Sequence, residues 1–201
     1  GTLMEQGRNI ILCGFMGCGK TTVGKRVAAR TGRRFVDMDE FITQQAGMSV
    51  SEIFARLGEA DFRRREREAC RELAGERDCV IATGGGALTF PENVEALAGS
   101  GPIVLLDVAP EVLLLRLAGD KTRPLLAGPD REEKFWSLYQ ARLPLYRRAA
   151  SVQVSIGRGV SPAAAAERVL TALKEAGREE SAKNPMEPRQ NSSQKTVDKR
   201  G

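Results

Sequence analysis

The amino-acid sequence predicts an α/β domain in which helices cover both faces of a parallel sheet. Short apolar runs alternate with helical patterns, those runs are largely non-alternating, and a glycine-rich loop joins the first run to the first helix. A chain of 201 residues has room for one such domain with a full core. The predicted strands are residues 9–13, 33–37, 79–83, 102–108 and 151–155.

The loop after the first predicted strand, GFMGCGKTT, has the spacing G-x-x-x-x-G-K-[ST] at Gly14, Gly19, Lys20 and Thr21. Glycines let the backbone N–H groups of such a loop turn towards phosphate oxygens, and the following helix adds the positive end of its dipole. The lysine reaches the terminal phosphates, and the hydroxyl binds Mg²⁺. The loop therefore predicts a nucleotide phosphate site, but it does not say which reaction the site serves.

Capping residues and prolines mark the starts of later helices. Ser49, with Glu52 three residues further on, has the spacing of a capping box. Pro91, Pro110 and Pro162 suit first-turn positions, where a missing backbone N–H costs nothing. These signals predict where four of the helices begin.

Two segments depart from a simple alternation of strands and helices. Residues 38–75 hold two or three helical patterns between consecutive predicted strands, which is more than one crossover requires. Residues 119–130 are rich in glycine and proline and form a loop long enough to serve as a lid. We expect one domain over residues 1–177 and a disordered polar tail over residues 178–201, where hydrophobic periodicity is absent.

The composition excludes several chemistries. The chain has no histidine, which removes imidazole bases, Ser-His-Asp hydrolases and histidine-metal sites. Its four cysteines have neither CxxC nor metal-binding spacing, and no apolar run is long enough to cross a membrane, so we expect reduced thiols and a cytoplasmic protein. The net charge of +5 fits either nucleic-acid binding or small anionic substrates.

Carboxylates for phosphoryl transfer are available at two places. Asp107 ends an apolar run in the manner of a Walker-B strand. Asp37 and Asp39 stand two residues apart at the end of the second predicted strand, so on an extended chain both would face one site. One could support metal-bound water while the other accepts a hydroxyl proton; the alternative is a pair of solvated turn residues.

Six short motifs then follow one another along residues 9–176: GFMGCGKTT, FVDMDEFI, GEADFRRRE, TGGGA, RPLL and RLPLY. Each is weak alone, but the ordered set is specific, and through it the chain resembles the shikimate kinase family. The resemblance implies a three-layer α/β/α P-loop fold like that of nucleoside monophosphate kinases, with a five-stranded parallel sheet. It implies that residues 38–75 bind shikimate and that residues 118–131 close over ATP. The implied reaction transfers the γ-phosphate of ATP to the 3-hydroxyl of shikimate in chorismate biosynthesis.

The same resemblance assigns roles position by position. Asp39 is implied to be the catalytic base, and Lys20 and the lid residue Arg123 are implied to be catalytic phosphate contacts. Thr21 and Asp37 are implied to hold Mg²⁺. The implied ATP-binding residues are Gly17, Cys18, Gly19, Lys20, Thr21, Thr22 and Arg123. The implied shikimate-binding residues are Asp39, Arg63, Gly84, Gly85, Gly86 and Arg142, with Glu66 as a brace for Arg63.

Elementary chemistry supports the assignment of the arginines and glycines. Guanidinium forks at Arg63 and Arg142 suit a carboxylate, and consecutive glycines remove side chains where a backbone approaches a ring. The neighbouring Arg64, Arg65 and Arg67 are expected to form a solvated or ion-paired face.

Two rival functions stay open at this point. One is a related kinase of gluconate or a nucleoside monophosphate, and the other is a P-loop binding or switch module that contacts nucleic acid. We expect small-molecule partners, namely ATP and shikimate, with no nucleic acid and no membrane, and a monomer. Arg116 and Pro162 are candidates for positions near the adenine.

Overall fold

The computed structural model describes residues 5–119 and 128–183, which form a five-stranded parallel sheet with helices on both faces. The strands are β1 (Ile10–Cys13), β2 (Arg34–Asp37), β3 (Cys79–Ala82), β4 (Ile103–Val108) and β5 (Val152–Ile156). The α-helices are α1 (Lys20–Thr31), α2 (Met38–Ala46), α3 (Val50–Leu57), α4 (Glu59–Ala74), α5 (Pro91–Ala98), α6 (Pro110–Ala118), α7 (Arg131–Ala149) and α8 (Pro162–Lys183), and Ala87–Thr89 form a short 3-10 helix. The strand order is β2-β3-β1-β4-β5. The predicted fold class is confirmed.

Burial explains why the strands have different sequence patterns. Every residue of β1 and β3 is buried, because these strands have neighbours on both sides and helices above and below. At the edge of the sheet, β5 alternates between buried Val152 and Val154 and exposed Gln153 and Ser155. The prediction that the strands are covered on both faces is therefore wrong for β5, whose buried face packs against α8.

The predicted helix starts are confirmed. Ser49 Oγ accepts the backbone N–H of Glu52 at 3.1 Å, which caps α3. Pro91, Pro110 and Pro162 are the first residues of α5, α6 and α8. None of the helices within the described ranges combines the length and the apolarity needed to cross a membrane.

The last helix extends beyond the predicted end of the domain. Because α8 continues to Lys183, the prediction of a disordered tail from residue 178 is wrong for residues 178–183. This stretch has no apolar periodicity, but alanine, glutamate, arginine and lysine favour helix, which lets α8 continue into solvent. Residues 184–201, and residues 120–127 with the predicted lid arginine Arg123, lie outside the described residues.

Parallel pairing brings the functional loops to one edge of the sheet. Loops that follow parallel strands open at the same edge, so the phosphate loop after β1, Asp37 at the end of β2 and the glycine run after β3 lie together. Leu12 pairs with Ala82, and its carbonyl also accepts the hydroxyl of Thr83 at 2.9 Å. This register sets the glycine run beside the phosphate loop.

Candidate active site

A cavity of about 740 Å³ opens at the carboxyl ends of β1, β2 and β3. One part of its wall is residues 16–23, from the phosphate loop and the start of α1. The other part holds Asp37, a predicted Mg²⁺ ligand, and the predicted acceptor groups, which are Asp39, Arg63, Glu66, Gly84, Gly85, Gly86 and Arg142. Residues predicted for nucleotide binding and residues predicted for acceptor binding therefore share one cavity.

Glycines give the phosphate loop its shape. Gly17 and Gly19 have φ angles of 81° and 94°, a left-handed conformation that is costly for other residues. Lys20 folds back over the loop, where its Nζ donates to the Gly14 carbonyl at 2.6 Å and lies 3.7 Å from Cys18 Sγ. With 3% of its surface exposed, Cys18 fills the space beneath this lysine. Since α1 begins at Lys20, the first N–H groups of the helix are available to an anion in the cavity.

The two acids of VDMD belong to a helix start and not to an extended strand. Asp37 ends β2 and caps α2, because its Oδ1 accepts the backbone N–H of Glu40 at 3.1 Å. Asp39 lies in the first turn of α2, so the prediction that both acids face one way along an extended chain is wrong. Both nevertheless line the cavity, while Met38 between them is fully buried in the core.

A buried carboxylate holds Arg63. The Arg63 Nη1 donates to Glu66 Oε1 at 2.9 Å, and the Glu66 side chain is 1% exposed. The guanidinium carbon also lies 5.3 Å from the ring centres of both Phe62 and Phe90. Burial raises the pKa of Glu66, the charge of Arg63 opposes that rise, and the charge of Asp39 adds to it. Glu66 therefore orients the arginine fork from behind.

Each glycine of the TGGGA run faces one functional side chain. A Cβ added to Gly84 would lie 2.6 Å from Asp39 Oδ1. A Cβ added to Gly85 would lie 3.0 Å from Arg142 Nη1, and one added to Gly86 would lie 2.5 Å from Arg63 Nη1. The contacts from Gly84 and Gly86 would be shorter than those that real Cβ atoms show, and the contact from Gly85 would be tighter than nine in ten of them. The run thus makes room for the acid and both arginines, in addition to any space it leaves for a ligand.

Asp107, the alternative carboxylate, is engaged elsewhere. Its Oδ2 accepts a hydrogen bond from Gln153 Nε2 at 2.8 Å and lies 3.6 Å from Arg147 Nη2. It is not among the residues that line the cavity. Asp107 is therefore a structural residue near the end of β4.

The arginines next to Arg63 form surface ion pairs, as predicted. Arg64 and Arg65 both bind Asp61, at 3.0 and 2.7 Å. Arg67 lies 3.8 Å from Glu92. These three side chains compensate acids on the helical surface, and none of them lines the cavity.

Sequence reasoning missed the apolar part of the cavity wall. Val50, Phe54 and Phe62 line it, with the two rings 4.7 Å apart. Their spacing on α3 and α4 is that of ordinary core positions, so the sequence carries no separate signal for them. Arg116 and Pro162, the two adenine candidates, also line the cavity, and Arg116 Nη1 donates to the Gly17 carbonyl at 2.8 Å.

Comparison with known proteins identifies the family. A family model described as shikimate kinase matches residues 16–174, which is most of the chain. The chain belongs to the shikimate kinase family. It is accordingly an ATP-dependent kinase, and its cavity is that of a shikimate kinase family member.

Individual relatives agree with this assignment. A shikimate kinase from Geobacter sulfurreducens is 48% identical over 145 residues, which cover 72% of this chain and 80% of the relative. The structure of a shikimate kinase from Acinetobacter baumannii in complex with shikimate has a TM-score of 0.78 and 39% sequence identity to this chain. The match covers 84% of this chain and 93% of the Acinetobacter chain. A gluconokinase from Sinorhizobium meliloti has a TM-score of 0.55 and 17% sequence identity, over 89% of this chain and 98% of the gluconokinase chain. At that identity the match shows a shared fold alone.

Replacing Glu66 by Gln should remove one component of the pH dependence of stability. Burial raises the pKa of Glu66 above its ordinary value of 4.5, so between these two pKa values the folded chain holds a proton that the unfolded chain has lost. The stability contributed by this proton is complete below the unfolded pKa and is lost as the pH rises through the folded pKa. Each pH unit between the two values corresponds to about 1.4 kcal/mol, or roughly 3–6 °C in Tm for a chain of this size.

Thermal unfolding followed by circular dichroism, from about pH 4 to pH 7, measures this component. The Tm of the parent should fall relative to that of Glu66→Gln as the pH rises through the window. Glu68→Gln is the matched control, because Glu68 is exposed on the same helix and pairs with Arg64 at 3.0 Å. Parallel profiles for the parent and Glu66→Gln would contradict the assignment of a raised pKa to Glu66.

Proposed function

We propose that this chain transfers the γ-phosphoryl group of ATP to the 3-hydroxyl of shikimate, giving ADP and shikimate 3-phosphate for aromatic amino-acid biosynthesis. One observation carries the proposal: a phosphate loop, an aspartate and two arginines line the same cavity. Phosphoryl transfer depends mainly on positioning and on charge stabilisation, so a site that holds both substrates together provides most of what the reaction needs. A small carboxylic acid that carries hydroxyl groups matches the acceptor end of the cavity.

ATP binding is assigned to the phosphate loop, through Gly17, Cys18, Gly19, Lys20, Thr21 and Thr22. All six residues line the cavity. Lys20 donates to the neutral carbonyl of Gly14, and a phosphate oxygen would give it a charged partner and a stronger hydrogen bond. Arg123 belongs to the same proposal through the family resemblance alone, because it lies outside the described residues.

The carboxylate of the acceptor is assigned to Arg63 and Arg142. Both side chains line the cavity, where a planar guanidinium can donate two parallel hydrogen bonds to a bound carboxylate. Asp39 is assigned to the acceptor hydroxyl, whose proton it accepts as the hydroxyl attacks the γ-phosphorus. Gly84, Gly85 and Gly86 complete the acceptor side of the wall.

Mg²⁺ fits the residues near the phosphate loop. This ion prefers oxygen ligands and keeps several waters, so nucleotide sites use few protein groups. Thr21 and Asp37 supply a hydroxyl and a carboxylate on the cavity wall. The described residues contain no group of three or more histidine, cysteine or acidic side chains that could hold a metal by themselves. When bound, Mg²⁺ would offset negative charge on the β- and γ-phosphates.

We also propose that the catalytic domain, predicted as residues 1–177, extends to the end of α8 at Lys183, with residues 38–75 as its acceptor-binding part, and that the enzyme is cytoplasmic and monomeric. Helices α2 and α4 of that part supply Asp39, Arg63 and Glu66 to the cavity, which supports its role. Light scattering on the purified chain, with and without substrates, measures the oligomeric state.

An acceptor panel tests the reaction directly. ADP release is measured with shikimate, gluconate and nucleoside monophosphates, and Lys20→Met serves as the blank for contaminating kinases. We expect turnover with shikimate and none with the other acceptors. Absence of shikimate turnover, or nucleotide binding without acceptor-stimulated ATP use, would reject the proposal in favour of a rival function.

Gly84→Ala should lower kcat by about tenfold or more, because a misplacement of the order of 1 Å at a reacting group can cost up to ~100-fold. The new Cβ would lie 2.6 Å from Asp39 Oδ1, so the carboxylate has to move. Steady-state kinetics and thermal unfolding of the same protein separate this effect from a loss of folding. Gly157→Ala is the control, because its Cβ would meet nothing within 4 Å. A normal kcat in Gly84→Ala would contradict the role given to the position of Asp39.

A further inference from the structure

Tyr146 lies directly behind the glycine run, outside the cavity. Its side chain is 1% exposed, although it carries a polar hydroxyl. That hydroxyl donates a hydrogen bond to the carbonyl of Gly85. Tyr146 stands four positions after Arg142 on α7, so the two side chains lie on the same face of the helix.

Arg142 lies beside the same peptide. A Cβ on Gly85 would lie 3.0 Å from Arg142 Nη1 and 4.0 Å from Tyr146 Oη. A carbonyl can only accept, so the hydroxyl is the donor in the contact between Tyr146 and Gly85. Burial raises the pKa of Tyr146 to about 12, so the hydroxyl keeps its proton at neutral pH.

This contact determines which way the Gly85–Gly86 peptide faces. The chain has no cis peptide bond among the described residues, and in a trans peptide the C=O and the following N–H point in opposite directions. Since the Gly85 carbonyl points away from the cavity towards Tyr146, the N–H of Gly86 points towards the cavity that both glycines line. The described residues offer this N–H no hydrogen-bond acceptor.

We propose that Tyr146 is a positioning residue for the acceptor substrate: it turns the Gly85–Gly86 peptide so that the Gly86 N–H donates to the acceptor, beside Arg142. The inference rests on the proposed acceptor site. The backbone N–H of Gly86 and the side chain of Arg142 then address one bound anion together. Tyr146 itself does not touch the substrate.

Tyr146→Phe removes the hydroxyl and keeps the ring. We expect the KM for shikimate to rise by about tenfold, as for a lost hydrogen bond in a charged network, with kcat and the KM for ATP within about threefold of the parent. Tyr139→Phe is the matched control: it makes the same change on the same helix, and Tyr139 is not among the residues that line the cavity. It should leave both KM values unchanged.

The outcomes separate positioning from a purely structural role. If Tyr146→Phe lowers Tm but leaves the KM for shikimate unchanged, or raises both KM values in parallel, the inference is overturned. The parent chain and Tyr139→Phe are assayed together with Tyr146→Phe. Absence of shikimate turnover in the parent and in Tyr139→Phe would reject the proposed function. Normal turnover in both would mean that any change in Tyr146→Phe comes from the lost hydroxyl of Tyr146.

A measurement on the parent chain covers the case in which Tyr146→Phe does not fold. Shikimate is titrated into ¹⁵N-labelled protein in the absence of ATP. A bound anion that accepts the Gly86 N–H should shift that amide resonance more than the resonance of Gly75, which caps the end of α4 and is not among the residues that line the cavity. An unshifted Gly86 resonance at saturating shikimate would overturn the inference.

Discussion

Asp39→Asn should lower kcat for shikimate phosphorylation by about 10²–10⁴-fold, because it removes a general base. Asparagine keeps the size of aspartate and its capacity to bind hydroxyl groups, but its amide does not take up the proton of the attacking hydroxyl. The side chain lies in the first turn of α2 and close to Gly84, so its direction is set by backbone on two sides. We therefore expect the Kd for shikimate to change by less than about threefold.

Steady-state kinetics combined with direct titration of shikimate binding separate these two effects. Glu40→Gln is the matched control, since Glu40 is the next residue of the same helix, is exposed, and is engaged with Asp37 through its backbone N–H. It should retain the parental kcat and Kd. Near-normal turnover in Asp39→Asn would show that the base assignment is wrong.

Arg63→Lys should weaken shikimate binding by about 10–100-fold, the range expected for losing hydrogen bonds between charged groups, while kcat at saturating shikimate changes little. Arginine binds Glu66 through Nη1, and its planar guanidinium has further N–H donors for a ligand. Lysine has a single ammonium group, which cannot reproduce the planar fork that serves both partners. The buried carboxylate of Glu66 would compete with the substrate for that one charge.

Arg64→Lys is the matched control for this prediction. Arg64 is the next residue along α4, but it is exposed and pairs with Asp61 and Glu68 at 3.0 Å each. Exposed pairs of this kind contribute little, so both kinetic parameters should stay at the parental values. Equal effects of Arg63→Lys and Arg64→Lys on the KM for shikimate would contradict a specific role for Arg63. The Tm of each variant shows whether the substitution has impaired folding.

The architecture could be predicted from the sequence because each element carries a local signature. The buried runs around Ile11 and Ile81 are apolar throughout, as a central parallel strand requires. Ser49 and Pro91 mark helix starts through backbone chemistry that involves only neighbouring residues. Edge strand β5 and the end of α8 were the exceptions, because what covers a strand and how far a polar helix continues depend on the rest of the fold.

The geometry around Asp39 could not be predicted in the same way. Aspartate is common both at strand ends and at helix N-caps, so the residue types of VDMD fit either conformation. In the folded chain the switch falls between Asp37 and Met38, and Asp39 enters the cavity from a helical turn. Both acids line the cavity, but the sequence-based reason for their sharing it, an extended chain, was wrong.

The sequence by itself determined the layer architecture, the phosphate loop and the family. Periodicity, caps and motif spacing all act within a few residues of one another, so a single chain contains the information. Only the tertiary structure decided that each glycine of one short run faces a different functional group, and that Tyr146 stands behind that run. Those partners come from α2, α4 and α7, and contacts between distant segments form only when the sheet brings their ends to one edge.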